Sequence, residues 1–502
     1  MRSNLYDEFY DRFPSDMRST FIENENGSIY SYSQLHRSSS QLANLLVQLG
    51  LKKGDRVAAQ VDKSAQAVFL YLACIRAGLA FVPLNTAYKE HELEYFFEDA
   101  EPGLVVVGTR YYEAVERIAT QAGVKNLETL DSTGGGSLIE KATGQSVKFE
   151  TVTCKADDTA AILYTSGTTG KPKGAMITHR NLFSNARTLH KLWGWQSADV
   201  LLHALPIFHI HGLFVACNCV LMNGSSILFI SRFDCDKVID LLPRSTVMMG
   251  VPTFYTRLLS ENRFNASICS NMRLFISGSA PLLEQTFEEF KQRTGHVILE
   301  RYGMTEAGMI TSNPLNGERI SGTVGLPLPG TEVRLVDEYG HVLPNGREGR
   351  LEVKGDNVFL GYWRMPEKTA KDLTADGFLK TGDIAVINDQ GYVSIVGRTK
   401  DLVISGGYNV YPKEVELCID KLDQVLESAV IGLPDPDYGE AVTAVVVLHP
   451  KGAELTEDRL IEHVKYTLAG YKVPKRVYFI DALPRNAMGK VQKNILRENF
   501  SF

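Results

Sequence analysis

The feature that most limits the fold is an alternation of short apolar runs, too short for helices, with longer stretches of helical period. Over 31–50 the residues Leu35, Leu42, Leu45, Leu46 and Leu49 recur on one helical face, with Ser33 placed as N-cap and Gly50 as a stop. A strand pattern follows at 56–61, a helix at 65–77, the apolar run Phe81, Val82, Pro83 and Leu84, and after another helix the run 104–107. Apolar runs separated by helices bury both faces of a sheet and call for parallel pairing, so the expected class is α/β in layers. The alternation persists to about Gly397. Beyond it, short strands at 428–432 and 441–448 and a helix at 456–468 form a compact α+β unit. A chain of 502 residues exceeds what one core organises, and we expect a large domain over 1–399 and a small one over 400–502.

Composition removes several function classes. Hydrophobic residues at 44% and charged residues at 22% suit a chain that buries a core, not a disordered one. A net charge of −6 without a basic cluster excludes a nucleic-acid partner and an anionic membrane surface. No apolar run reaches spanning length. The seven scattered cysteines suit reduced thiols and a cytoplasmic setting. Cys217 and Cys219 are expected in the core, because the rest of a tetrahedral zinc set is missing nearby. The first eight residues carry acids and no apolar segment, so no secretory signal is expected there.

The strongest chemical signal runs from Tyr164 through Thr165, Ser166, Gly167, Thr168, Thr169, Gly170, Lys171, Pro172 and Lys173 to Gly174, directly after an apolar strand at 160–163. Its glycines permit tight turns, its hydroxyls and amides can donate to phosphate oxygens, and its two lysines add charge. The spacing is not that of the P-loop.

This stretch closely resembles the phosphate loop of the adenylate-forming superfamily, which contains acyl-CoA synthetases, luciferases and peptide-synthetase adenylation domains. The resemblance spans nearly the whole chain. It implies a β-barrel-like subdomain beside the α/β layers, and a small mobile C-terminal domain. Arg301, Tyr302, Gly303, Met304, Thr305 and Glu306 resemble the motif whose tyrosine stacks on adenine, whose threonine meets the α-phosphate and whose glutamate holds Mg²⁺, here with Thr165 beside it. Mg²⁺ takes hard carboxylate oxygen. Ser277, Gly278, Ser279, Ala280 and Pro281 match the adenine strand, and the last also reads as a strand end before a Pro-capped helix. Asp383 and Arg398 match the ribose-binding segments. Lys490, after Gly489, matches the catalytic lysine that bridges carboxylate and α-phosphate. The resemblance further implies that the small domain turns about Lys400 between two half-reactions, exchanging Lys490 for the CoA-side loop at Gly406 and Gly407.

The family's acyl pocket lies against 208–212, the Ser277 strand and the Tyr302 motif, which brings in His209 and Met304. Many members carry glycine where this chain has Arg301. Either a second carboxylate on the substrate answers that charge, or Glu300 or Glu306 does. Arg273 is a rival clamp, with a structural role the stronger expectation. His209 stands where peptide-synthetase domains place an aspartate for the substrate ammonium, which disfavours an amino acid; it either donates to a carboxylate or forms a wall. As a whole the chain is most similar to malonyl-CoA synthetases, which implies conversion of malonate, ATP and CoA to malonyl-CoA, AMP and diphosphate, with methylmalonate the nearest further substrate. The alternatives are a ligase for oxalate or an aromatic acid, and a nucleotide-binding protein without catalysis, against which Lys490, Glu306 and Asp383 argue.

Overall fold

A computed structural model describes residues 4–165, 172–405, 408–449, 455–486 and 489–501. Two large sheets dominate the first 330 residues. One has seven strands, in which Thr159–Thr165, Ala80–Pro83, Arg56–Gln60, Leu104–Val107 and Leu127–Thr129 are parallel and Lys173–Thr178 and Gly361–Tyr362 add antiparallel edges. The other has nine strands, with a parallel centre running Leu299–Met304, Leu274–Ser277, Val247–Gly250, Val200–His203, Ser226–Phe229 and Thr20–Asn24. Helices such as Ala65–Arg76, which buries nearly every side chain, fill the space between these layers. That is the layered α/β arrangement the apolar runs require.

A four-stranded antiparallel sheet follows, ordered Thr331–Val336, Glu348–Gly355, Leu379–Ile387, Val393–Arg398. A bridge from Gly325 to Val393 ties its last strand to the segment leading into its first, so the sheet curls most of the way to a barrel. From Val403 onward the chain builds a further sheet and its own apolar core around Val430, Val442 and Leu460.

Local details differ from expectation for identifiable reasons. The helix Tyr32–Gln48 is capped by Ser31, not Ser33: Gln34 at the third helical position returns a hydrogen bond to the Ser31 amide and completes a capping box. In the C-terminal unit the two strands are longer than their apolar centres, Val425–Asp435 and Gly439–Leu448, and pair with each other as a hairpin before the helix Glu457–Thr467. Pro281 caps no helix; the next one begins at Glu284, after Leu283.

Candidate active site

The functional segments converge because they leave neighbouring parallel strands at the same end. The strands ending at His203, Gly250, Ser277 and Met304 lie side by side, and the chain beyond each supplies 204–212, the Thr253 helix start, 278–281 and the turn containing Thr305 and Glu306. Crevices beyond the carboxyl ends of parallel strands are where such sheets bind ligands.

On the nucleotide side, Asp383 is 2% exposed and pairs across the sheet with Arg398, whose Nε lies 3.0 Å away. The Tyr302 hydroxyl donates to the other Asp383 oxygen. Glu306 is buried and accepts from Thr165 Oγ1 at 3.4 Å and from the Tyr362 hydroxyl at 3.1 Å. Lys173, opposite Thr165 in the hairpin, lies 4.5 Å from the Tyr362 ring centroid, and burial together with Lys368 and Lys400 lowers its pKa. Asp372, which pairs with Lys368, and Glu306 offset part of this charge, and three lysines gathered together still suit a polyanion. Tyr362 and Lys368 had no motif to flag them; they arrive by long-range pairing of Gly361–Tyr362 against Lys173–Thr178. The loop residues Ser166, Gly167, Thr168, Thr169, Gly170 and Lys171 lie outside the described residues, as do Gly406 and Gly407.

Lys490 reaches this cluster from the far end of the chain. A tight turn holds it, with the Lys490 amide donating to Asn486 Oδ1 at 3.0 Å and the Asn486 amide donating back to the Lys490 carbonyl at 3.0 Å. The turn packs on the helix Pro252–Leu259: a Cβ at Gly489 would stand 3.0 Å from Thr253 Oγ1. Burial, then the charge of Arg398, pulls the Lys490 pKa down to about 8, against the pull of Asp383. Lys490 and the Asp383–Arg398 pair, about a hundred residues apart in sequence, are therefore close enough to act on one another's charge.

On the acyl side, Arg301 is 2% exposed, and its Nε and Nη2 have no hydrogen-bond partner. Neither carboxylate considered from the sequence answers it: Glu300 accepts from the Leu282 amide at 3.1 Å, Glu306 is held as described, and no ion pair among the described residues includes Arg301. The guanidinium lies flat on Gly278, where a Cβ would come within 2.5 Å of Arg301 Cζ. Burial drives the Glu300 carboxyl up to about 8 and Arg301 down to about 10.

Next to Arg301 stands His211, fully buried, which the sequence had offered only as part of the His209 segment. Ser279 adopts φ +72°, a left-handed conformation that costs a non-glycine residue about 1–3 kcal/mol. That turn brings its hydroxyl 3.3 Å from His211 Nδ1. The other ring nitrogen of His211, Nε2, is buried without a partner. His209 is also drawn down, to about 4, by burial and then by Arg301, and its Nδ1 accepts from the His211 amide at 3.2 Å. Arg273 is not brought to this cluster. It sits at the opposite end of its strand, holding Asp199 at 2.5 Å and the Trp193 carbonyl at 3.1 Å, so its role is structural.

The AMP-binding enzyme family matches residues 8–363, and the AMP-binding enzyme C-terminal domain matches 414–490. The crystal structure of ATP-bound MatB from Rhodopseudomonas palustris superposes with a TM-score of 0.97 at 53% identity, covering 100% of this chain and 99% of that one; the apo form of MatB gives 0.87. The mitochondrial malonate–CoA ligase of Mus musculus is 38% identical over 508 residues, 93% of this chain and 86% of its own length. A long-chain-fatty-acid–CoA ligase of Yersinia pestis is 35% identical, with 94% and 90% covered. No helix among the described residues is long and apolar enough to cross a membrane. With family models matching residues 8–363 and 414–490 and relatives 35–38% identical over nearly the whole chain, the chain belongs to the AMP-binding enzyme family.

Proposed function

We propose that this protein is an AMP-forming malonate:CoA ligase. The observation that carries the substrate is the pair of buried donors without acceptors, Arg301 Nε and Nη2, with the partnerless His211 Nε2 beside them, a third donor when Nδ1 accepts from Ser279. A buried guanidinium left unpaired costs several kcal/mol. A carboxylate is the group that answers it, offering two oxygens to charge-assisted bonds. The acid being activated needs its own carboxylate free to react, so a substrate that also satisfies Arg301 carries two. Malonate is a short one. The likeness to malonate–CoA ligases supports the same reading. An aromatic acid is disfavoured, because Arg301 fills the space over Gly278.

In the first half-reaction an oxygen of the free carboxylate bonds to the α-phosphorus of ATP, and the bond to the β-phosphate oxygen breaks to release diphosphate. Tyr302 offers its ring to adenine and Asp383, oriented by Tyr302 and Arg398, accepts from the ribose hydroxyls. Lys490 places its ammonium where carboxylate and α-phosphate share developing charge. Thr305 donates to the α-phosphate. Glu306 and Thr165 fit Mg²⁺: one oriented carboxylate without an acidic cluster is what this ion takes when a triphosphate supplies its other ligands. Bound there, it neutralises phosphate charge. In the second half-reaction the CoA thiolate bonds to the acyl carbon and AMP departs with the C–O electron pair. The small domain turns about Lys400, in the short turn Thr399–Asp401, and presents Gly406 and Gly407 in place of Lys490. The seven unpaired thiols suit a cytoplasmic setting.

The test is diphosphate release with MgATP and CoA across malonate, methylmalonate, oxalate, acetate, propionate and 4-coumarate. The highest kcat/KM is expected for malonate; a strong preference for a monoacid would overturn the substrate and leave the ligase chemistry standing. A separate expectation concerns Gly278→Ala. Its methyl would stand 2.5 Å from Arg301 Cζ and displace the guanidinium, the movable end of a side chain, so the fold survives. The malonate KM rises by about tenfold or more, as for loss of a charged hydrogen bond. An unchanged malonate KM would remove Arg301 from the pocket.

A further inference from the structure

Behind the acyl pocket lies a second group of buried nitrogens. Lys63, just beyond the strand Arg56–Gln60, points its Nζ at His203, 2.8 Å from Nδ1 and 2.9 Å from the His203 carbonyl oxygen. It lies 4.3 Å from the Phe229 ring centroid, and no ion pair among the described residues includes it. Burial pulls its pKa down to about 7, with Cys217 and Glu25 the nearby groups that favour its charge. Charged or neutral, the amine donates to Nδ1. The His203 proton is thereby held on Nε2, which donates to the Gly212 carbonyl at 2.8 Å.

Gly212 belongs to the wide helical turn His211–Cys217, and its backbone is pressed so close to Pro206 that a Cβ would stand 2.0 Å from the Pro206 carbonyl oxygen. The hydrogen-bond chain from Lys63 through His203 thus ends one residue from His211, whose buried Nε2 has no partner and which lies within the field of Arg301. The field adds to the geometry. Lys63 acts on His203, His203 on His211, and Arg301 on both His211 and His209. Burial and these charges keep the three histidines neutral and Lys63 near its midpoint, so Arg301 is the standing positive charge and the others surround it as polar groups without a paired carboxylate, an arrangement that favours a bound anion.

From this we infer that Lys63 and His203 are a positioning pair for substrate selection: they lock the Gly212 carbonyl, hold the His211 donor in place, and so secure discrimination for a second carboxylate on the acid. This rests on the malonate reading above. Neither residue touches the reacting atoms.

The experiment compares kcat/KM for malonate and acetate, and KM for ATP, in the wild-type protein and in Lys63→Met. The variant is expected to raise the malonate KM about tenfold, the scale of one hydrogen bond to a charged group. ATP KM and acetate kcat/KM stay as in the wild type. His203→Gln can still donate to the Gly212 carbonyl, so it retains more malonate selectivity than His203→Phe, and that comparison decides the matter if Lys63→Met does not fold. A malonate-to-acetate ratio unchanged in Lys63→Met, or equal in the two His203 variants, overturns the pair while leaving malonate as substrate. A wild-type protein with no preference for malonate overturns the substrate reading and this inference with it.

Discussion

Lys490→Ala abolishes adenylate formation, with diphosphate release slowed by about a hundred- to a thousandfold, the scale of removing one donor to developing charge. Thioester formation from supplied malonyl-adenylate and CoA is largely spared, because in the proposed mechanism the turn carrying Lys490 leaves the site when the small domain rotates. Single-turnover assays of the two half-reactions separate these steps. Equal losses in both would contradict the rotation. The pH dependence follows from the same side chain: its pKa is depressed to about 8, and the charged form is the active one. The kcat/KM of the first half-reaction is therefore insensitive to this group below pH about 8 and falls above it. The alanine variant loses that limb together with the rate.

Arg301→Met is the second large effect. The thioether chain keeps much of the volume over Gly278 and removes the charge, so malonate loses its remote carboxylate partner. The expected loss is ~3 kcal/mol, on the order of a hundredfold in kcat/KM, while acetate turnover changes little. Stability moves the other way. In the free protein Arg301 is buried with two donors unanswered, so replacing it by an apolar side chain leaves Tm unchanged or raises it. Saturating malonate raises the wild-type Tm by mass action and does not raise that of the variant. A variant that loses malonate and acetate turnover alike, with a lowered Tm, would make Arg301 structural.

The layered α/β class, the change of texture near residue 400 and the nucleotide segments were legible in the sequence because each depends on local pattern: apolar period, glycine-rich turns, and short motifs that carry their own chemistry. The Ser31 cap was also a local signal. Gln34 stands three residues on, but apolar spacing alone pointed to Ser33. The choice between His209 and His211 was not legible. Both ring nitrogens of either residue could face the pocket, and the turn of Ser279 is what pairs with His211. Arg273 was a rival to Arg301 in the sequence, with a structural role already the stronger expectation, and its partner was not legible there. Only the fold reveals Asp199 beside one and no acid beside the other.

By itself the sequence determined that the chain makes parallel layers, and it carried the motifs from which a phosphate-binding loop, a carboxylate for a divalent cation and a lysine on a second domain are proposed, with one arginine where bulk is usually absent. These follow from composition and neighbours a few residues apart. Tertiary structure alone decided which charges are answered. Lys490 meets Asp383 and Arg398 across about a hundred residues, Tyr362 orients Glu306 across 56, and Lys63 meets His203 across 140. Hydrogen bonds and charge pairs act over a few ångströms, while sequence distance sets no limit on which strand ends are brought together. The preference proposed for a second carboxylate is therefore a property of the crevice, where two Arg301 donors are buried and no described residue accepts from them.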